Sequence, residues 1–398
     1  TEVELNSVIM KDGHEGYGIV NNASKVTVTD IETSGNGWGG INVDNSESAG
    51  SNGAELIVNS AIINEDNSVK IENEESQKIV ATIKDGTFEG EVFIAKDVKE
   101  SSINITGGTF KEDVSKYMDE NSAFVKDKDG NYVVADKEAI KNEKFYIDSE
   151  NDLIEAIEAQ TDGVTWVLKN SFEVKEMIKI TKNNVTFDGN GKTLTFAEDI
   201  SGNGDGNNSF IEIEDVAGIV IKDINLDGNN KVHHGINIFT HADKTQAELE
   251  VDNVVIENCK GYAITNNAST VTVTDLETSG NGWGGINVDN STSGDDCGAE
   301  LIINNANIKD SNSVKIENAN NKNIDAVIKD GTYAGDVFIA DGVKNAELRI
   351  ISGTFATDVE KYIAEDSHIV KIDGEYVVYD DQRDSGRHSY SLKEGKTE

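Results

Sequence analysis

Two tryptophans stand in identical surroundings, because Trp38 and Trp283 each lie in the sequence Gly-Asn-Gly-Trp-Gly-Gly. Glycine and asparagine are typical of turns, where we expect the ring to be at least partly exposed. An exposed ring can stack on the apolar face of a sugar while neighbouring amides and carboxylates bind its hydroxyls. The residues that could complete such a carbohydrate-binding surface are Tyr17, Tyr262, Asn36, Asn281, Asp44 and Asp289. The alternative is that each tryptophan folds over its turn and packs on a neighbouring strand.

The segment Asp127-Lys-Asp-Gly-Asn131 is rich in side-chain oxygens, as calcium-binding loops are. Asp127, Asp129 and Asn131 are therefore candidate ligands for Ca²⁺. The corresponding segment later in the chain, Ile372-Asp-Gly-Glu375, is one residue shorter and lacks a potential ligand. This difference favours a tight turn between two strands over a metal site, and no other cofactor is predicted.

The elements that carry these residues occur twice. Residues 17–110 match residues 262–355 without gaps, and residues 32–46 recur unchanged as residues 277–291. Residues 143–246 have no counterpart in the first copy, which therefore lacks the beginning of the unit. The predicted domains are a truncated unit at residues 1–142, a complete unit at residues 143–380 and a polar tail at residues 381–398.

Short strands with apolar residues at every second position fill both copies, as in Thr270-Val-Thr-Val-Thr274. They are separated by Asn, Gly and Asp, and the chain contains no proline. Short isoleucine-containing segments such as Gly235-Ile-Asn-Ile238 recur along the chain with no helices between them. This is typical of a solenoid in which each coil contributes one such segment. The pattern predicts an all-β fold, a parallel β-helix of two tandem units, in which the crossovers are expected to be right-handed.

The runs at residues 184–195 and 254–258 resemble the right-handed parallel β-helix repeats of the pectate-lyase-like superfamily. Residues 149–160 form a predicted helix that looks like the N-terminal cap of such solenoids, since Ser149 can cap it and Leu153 and Ile157 share an apolar face. Residues 107–110 and 129–134 resemble the closing segment of β-helix domains in large surface proteins of Gram-positive bacteria. The resemblance implies a secreted or cell-surface module. Because no signal peptide opens the sequence, we expect the chain to be a piece of a longer protein.

The superfamily also contains polysaccharide lyases and glycoside hydrolases, which gives an enzymatic alternative. A lyase would need an Arg or Lys base beside clustered carboxylates, and no such cluster stands out in the sequence. His233-His234-Gly235 is the nearest approach to the Gly-His-Gly of polygalacturonase-like hydrolases, but the paired aspartates expected beside it are replaced by Asn229-Asn230. His233 and His234 are therefore retained only as alternative catalytic residues, and we expect a non-catalytic adhesin, stalk or surface-array element.

The net charge and the hydrophobicity of the chain limit the kinds of partner that we expect. The net charge of −39 repels nucleic acid and anionic membrane surfaces, and no apolar run is long enough for a membrane helix. The expected partners are host or cell-wall glycans, another surface protein, or neighbouring repeats of the parent chain. Cys259 and Cys297 are too few for a disulfide framework, and the sequence leaves open whether they are bonded.

Overall fold

The computed structural model describes residues 1–45, 53–72, 78–96, 98, 100–200, 208–290, 297–317 and 322–384. It is nearly all-β, with 55% strand and 6% helix, and forms a parallel β-solenoid of about 13 turns in total. Contacts divide the chain into two compact units. The first comprises Thr1–Ile147 and Glu158–Thr165, and the second comprises Asp148–Ile157 and the described residues from Trp166 onward. The fold class expected from the sequence is confirmed, whereas the predicted domain limits and the hand of the coil stay predictions.

The first unit contains five coils of short strands. Its strands are β1 (Glu2–Asn6), β2 (Ile9–Lys11), β3 (Tyr17–Asn22), β4 (Lys25–Thr29), β5 (Ile31–Ser34), β6 (Gly39–Asp44), β7 (Ala54–Val58), β8 (Ala61–Ile63), β9 (Asn67–Ile71), β10 (Ile79–Ile83), β11 (Thr87–Phe88), β12 (Glu91–Ile94), β13 (Ser101–Ile105), β14 (Gly108–Phe110), β15 (Ser122–Lys126), β16 (Tyr132–Asp136) and β17 (Lys144–Ile147). Strands β1 to β16 form three sheets, ordered β1-β4-β7-β10-β13, β2-β5-β8-β11-β14-β16-β15 and β3-β6-β9-β12. A 3-10 helix at Ser115–Tyr117 and helix α1 (Lys137–Ile140) complete the unit.

The second unit begins with helix α2 (Glu150–Glu158). Its strands are β18 (Thr165–Leu168), β19 (Phe172–Val174), β20 (Ile178–Ile180), β21 (Thr186–Phe196), β22 (Ser209–Glu214), β23 (Ile219–Asp227), β24 (His234–Phe239), β25 (Glu248–Glu257), β26 (Tyr262–Asn267), β27 (Thr270–Val273), β28 (Leu276–Ser279), β29 (Gly284–Asp289), β30 (Ala299–Ile303), β31 (Asn307–Ile308), β32 (Asn312–Ile316), β33 (Ile324–Ile328), β34 (Thr332–Tyr333), β35 (Asp336–Ile339), β36 (Ala346–Ile350), β37 (Gly353–Phe355), β38 (Ser367–Ile372) and β39 (Glu375–Asp380). A 3-10 helix lies at Glu360–Tyr362, and α3 (Asp381–Asp384) follows β39.

The strands of the second unit also pair in parallel from coil to coil, but they form two sheets. One sheet runs β20-β22-β24-β26-β29-β32-β35. A larger sheet runs β18-β21-β23-β25 and then divides into β27-β30-β33-β36 and β28-β31-β34-β37-β39-β38. Helix α2 lies where the sequence predicted a helix, while its role as a cap stays a prediction. Of the predicted tail, residues 385–398 lie outside the described part of the chain.

The core consists of columns of identical or similar apolar residues, one from each coil. In the second unit Ile236, Ile264, Ile286, Val314 and Val337 follow one another in register on five neighbouring strands. All five are buried. Each such side chain contributes about 1.5–3 kcal/mol of burial free energy. The period of the sequence therefore fixes the parallel register, because a shift by one residue would expose every column.

Asparagine and aspartate make many of the corners. Asp223 and Asn253 occupy neighbouring coils with φ of 51° and 54°, and Asn253 Nδ2 donates to Asp223 Oδ1 at 2.7 Å. Left-handed backbone is tolerated better by Asn and Asp than by other side chains, which explains how a proline-free chain turns so often. In both units the last parallel coil is followed by an antiparallel hairpin, formed by β15 and β16 in the first unit and by β38 and β39 in the second. Each hairpin pairs with the last parallel strand of its unit, β14 or β37.

Candidate functional site

The two tryptophans lie on turns whose backbone is fixed from both sides. Trp38 lies between β5 and β6, and its N–H donates to Gly16 O at 3.0 Å while its carbonyl accepts from Asn67 Nδ2 at 3.0 Å. Trp283 repeats both bonds with Gly261 and Asn312, at 3.0 and 2.7 Å. The side chains are 58% and 47% exposed. The sequence expectation of a partly exposed ring therefore agrees with the structure, although sugar binding stays a prediction.

Glycine is required beside each tryptophan. Gly39 and Gly284 have φ of +145° and +148°, a region that other residues rarely adopt. A Cβ at these positions would lie 2.5 and 2.3 Å from the carbonyl oxygens of Asn67 and Asn312. The strand that follows the turn thus approaches the next coil closely, which only a residue without a Cβ allows.

A tyrosine supports each tryptophan from the preceding coil. The rings of Tyr17 and Trp38 have centroids 5.9 Å apart at 72°, and those of Tyr262 and Trp283 are 5.7 Å apart at 75°. This edge-to-face contact is favourable and holds the indole in one orientation. Tyr262 is buried and Tyr17 is half-buried, so the tyrosines position the tryptophans and expose little surface of their own.

A row of polar side chains continues the surface beyond the tyrosine. In the first unit Lys70 Nζ lies 3.4 Å from Tyr17 Oη and 2.7 Å from Glu72 Oε2, and Asn42 Nδ2 donates to Glu72 Oε1 at 2.6 Å. The hydrogen bond to Glu72 is the main reason that the pKa of Lys70 is raised. Trp38, Tyr17 and this row are called the first aromatic-polar surface. Lys70 and Glu72 were missed in the sequence, although residues 67–72 recur unchanged as residues 312–317.

The second aromatic-polar surface contains Trp283, Tyr262, Asn287, Lys315 and Glu317. Lys315 Nζ lies 2.6 Å from Glu317 Oε2, and Asn287 Nδ2 donates to Glu317 Oε1 at 2.7 Å. Burial lowers the pKa of Lys315, but the hydrogen bond and the charge of Glu317 outweigh burial, and the pKa is raised. Burial also raises the pKa of Tyr262. The lysine is therefore charged and the tyrosine neutral at physiological pH.

The two histidines considered as alternative catalytic residues lie beside Trp283. The ring centroid of His233 is 4.5 Å from that of Trp283 and 4.7 Å from that of His234. His234 is 5% exposed, and its Nδ1 accepts the N–H of Tyr262 at 3.1 Å. Because Nδ1 is an acceptor, the ring proton is on Nε2. His234 thus holds the tyrosine in place, and His233 extends the aromatic surface.

Asn36 and Asn281 are buried and face the interior. The Asn36 amide donates to Glu65 Oε1 at 2.7 Å, and its carbonyl accepts from the N–H of Gly13 at 3.1 Å. Asn281 Nδ2 donates to Asp310 Oδ2 at 3.2 Å. These amides hold the turns together, so we leave them out of the proposed binding surface.

Asp44 and Asp289 end strands β6 and β29. They are half-buried and lie on the same outward side as the asparagine two residues earlier, because side chains alternate along a strand. In the sheet they align with Asn22 and Asn267 of the preceding coils. They extend the far end of each aromatic-polar surface, where a ligand role remains a prediction.

The candidate calcium loop is the turn of the hairpin between β15 and β16. Asp127 Oδ1 accepts the N–H groups of Asp129 and Asn131, each at 2.9 Å, and Asp127 Oδ2 accepts from Asn131 Nδ2 at 3.0 Å. Burial raises the pKa of Asp127, but these hydrogen bonds lower it more, and the pKa is lowered. The turn is thus held by its own groups, and Ca²⁺ binding there stays a prediction.

Both cysteines are free. Cys259 is buried, and burial raises the pKa of its thiol to about 12. Because the thiolate is the reactive form, a neutral thiol-specific disulfide reagent should label one thiol per folded chain, Cys297, and both thiols in urea. Thiol release measured at mildly alkaline pH checks this. A Cys297→Ser control should remove the fast phase, and rapid labelling of that folded variant would contradict the burial of Cys259.

No protein-family model matches the chain, and no curated protein matches it. Two solved structures match with 9% identity, each over 95% of this chain and 92% of the other. They are sacteLam55A from Streptomyces sp. SirexAA-E, with a TM-score of 0.34, and a variant of sacteLam55A in complex with glucose, with a TM-score of 0.30. Similarity at this level supports no functional assignment. Within the described residues, no helix is long and apolar enough to span a membrane.

Proposed function

We propose that the chain is a non-catalytic extracellular module, an adhesin, stalk or surface-array element, that binds carbohydrate through its two aromatic-polar surfaces. The observation that carries the proposal is the repeated exposure of Trp38 and Trp283. Burying an indole is favourable, so a fold that holds the same indole in solvent twice leaves about half of a large apolar side chain without a partner. A sugar ring is a partner that suits it.

The groups beside each indole suit sugar hydroxyls. Lys70 and Glu72 offer a donor and an acceptor side by side, and Lys315 and Glu317 offer the same pair. The buried amides of Asn42 and Asn287 donate to the two glutamates and hold them in place. The lysine charge is compensated by the adjacent glutamate, and Asp44 or Asp289 adds a negative charge nearby. A neutral or amino sugar therefore fits better than a uronate, which this surface and the net charge of −39 would repel.

Removing both indoles tests the proposal. Trp38→Ala with Trp283→Ala should lower the affinity for the best glycan from an array of host and cell-wall glycans at least about fivefold, because one stacking contact contributes about 1 kcal/mol or more. Calorimetry should show two sites in the wild type, and one of the two should be weakened in each single variant.

Ile62→Ala is the matched control, since Ile62 is 49% exposed on a different sheet of the first unit. It should leave glycan affinity unchanged. Binding that survives the double tryptophan variant, or no binding to any glycan, would contradict the proposed function and leave the tryptophans with a packing role.

A polysaccharide lyase or glycoside hydrolase is the second candidate, and one observation favours it. Asp227 and Glu257 lie directly opposite each other on the neighbouring strands β23 and β25. Two adjacent carboxyl groups are what most glycoside hydrolases use. However, Asp227 Oδ1 accepts from the Asn229 N–H at 2.9 Å and from Asn258 Nδ2 at 3.0 Å. These two hydrogen bonds give Asp227 a structural role in the turn at the end of β23. Release of reducing or unsaturated ends from a bound glycan would move this candidate to first place.

A further inference from the structure

A histidine and two carboxylates meet at a corner between two coils of the second unit. Glu214 is the last residue of β22, Asp215 follows it, and His241 lies two residues beyond the end of β24. Strands β22 and β24 pair in parallel, with Glu214 opposite Phe239. The three residues are far apart in the sequence and become neighbours only through the register of the coils, so sequence patterns did not reveal them.

The three candidate ligand atoms lie close enough together to reach one metal ion. His241 Nδ1 lies 2.9 Å from Asp215 Oδ2 and 3.3 Å from Glu214 Oε1, and all three atoms lie within 4.8 Å of one another. Bonds of about 2.0–2.2 Å at tetrahedral angles separate neighbouring ligands by roughly 3.3–3.6 Å. An ion placed between the three atoms would therefore reach normal bond lengths after only small side-chain movements.

The backbone already orients these ligands. The His241 N–H donates to Asp215 Oδ1 at 2.7 Å, which leaves Oδ2 directed at the imidazole. The His241 ring meets the edge of Phe239, with centroids 5.1 Å apart. His241 and Glu214 are about two-fifths exposed, so a water molecule can reach a fourth position from solvent.

We propose that Glu214, Asp215 and His241 bind one divalent transition-metal ion, for which Zn²⁺ is the best match. A mixed set of one imidazole and two carboxylates suits Zn²⁺, whereas Ca²⁺ and Mg²⁺ prefer oxygen alone. On binding, Nδ1 gives its lone pair to the metal and the ring proton is carried on Nε2, so the imidazole remains a neutral ligand. The ion links two adjacent coils and stabilises the folded state by mass action. This site is independent of the proposed carbohydrate binding.

The test uses the full chain after removal of bound metal with a chelator. Titration with Zn²⁺ followed by calorimetry should give one tight site per chain, and Co²⁺ should give visible absorption typical of a low-coordinate N/O site. His241→Ala and Asp215→Asn should each weaken Zn²⁺ binding at least about tenfold. Excess Ca²⁺ or Mg²⁺ should not displace the ion.

His368→Ala is the matched control, because the imidazole of His368 contacts a single carboxylate, that of Asp381. It should leave the tight site intact. Tight binding that is unchanged in His241→Ala, or equally lost in His368→Ala, would overturn the proposal. If His241→Ala does not fold, the conservative Glu214→Gln variant decides the matter, since wild-type affinity in that variant would also overturn it.

Discussion

Asp310→Ala should destabilise the second unit by roughly 3–5 kcal/mol, because it leaves several buried donors unpaired and each unpaired donor costs about 1–3 kcal/mol. Asp310 is 4% exposed and lies between β31 and β32. Its carboxylate accepts from Thr278 Oγ1 at 2.5 Å, from the Asn281 N–H at 2.8 Å and from Asn281 Nδ2 at 3.2 Å. Alanine would remove the acceptor of all three bonds, although Asn281 Nδ2 keeps a second acceptor in the carbonyl of Ile256 at 3.1 Å. Urea unfolding followed by circular dichroism measures the loss.

Asp310→Glu is the matched control, because the first unit has glutamate at the equivalent position. Glu65 accepts there from Thr33 Oγ1 at 2.6 Å and from Asn36 Nδ2 at 2.7 Å. A longer side chain can therefore occupy the same interior, and the control should lose less than half as much stability as the alanine variant. A loss below about 1 kcal/mol for Asp310→Ala would mean that the backbone holds the turn unaided.

Much of the fold follows from the sequence because its causes are local. Val271 and Val273 alternate with threonine on one strand, and Ile264 and Ile286 occupy the same place in successive coils, so both the strands and the parallel stacking are visible as periods. The duplicated turn likewise identifies Trp38 and Trp283. Each indole is flanked by one glycine before it and two after it, so no neighbouring side chain in the sequence can cover it.

The limits of prediction are clearest within one repeated block. Asn36 and Asn42 both lie in residues 32–46 and look equally available for a ligand, yet Asn36 is directed inwards and Asn42 outwards. The difference depends on Glu65 and Glu72, which belong to the next coil. Which carboxylate meets which amide depends on the length of the intervening turns, and the sequence period does not determine this. For the same reason, the sequence did not predict the roles of Lys70 and Lys315 or the cluster of Glu214, Asp215 and His241.

The glycine that follows each tryptophan should be nearly as sensitive as the buried carboxylate. Gly284→Ala should destabilise the second unit by roughly 2–4 kcal/mol, because two penalties add. The backbone has φ of +148°, and the new Cβ would meet Asn312 O at 2.3 Å. The clash can be relieved only by moving β29 away from β32. That movement would also shift Trp283 from the edge of Tyr262, so its fluorescence should change together with the unfolding midpoint.

Gly342→Ala separates the two penalties. Gly342 has φ of +81° and no atom within 4 Å of the position that a Cβ would take, so alanine there meets backbone strain without a clash. The cost should be about 1 kcal/mol, the usual penalty for a left-handed residue. If both variants lost the same stability, the close approach of the two coils would not be what requires glycine at position 284.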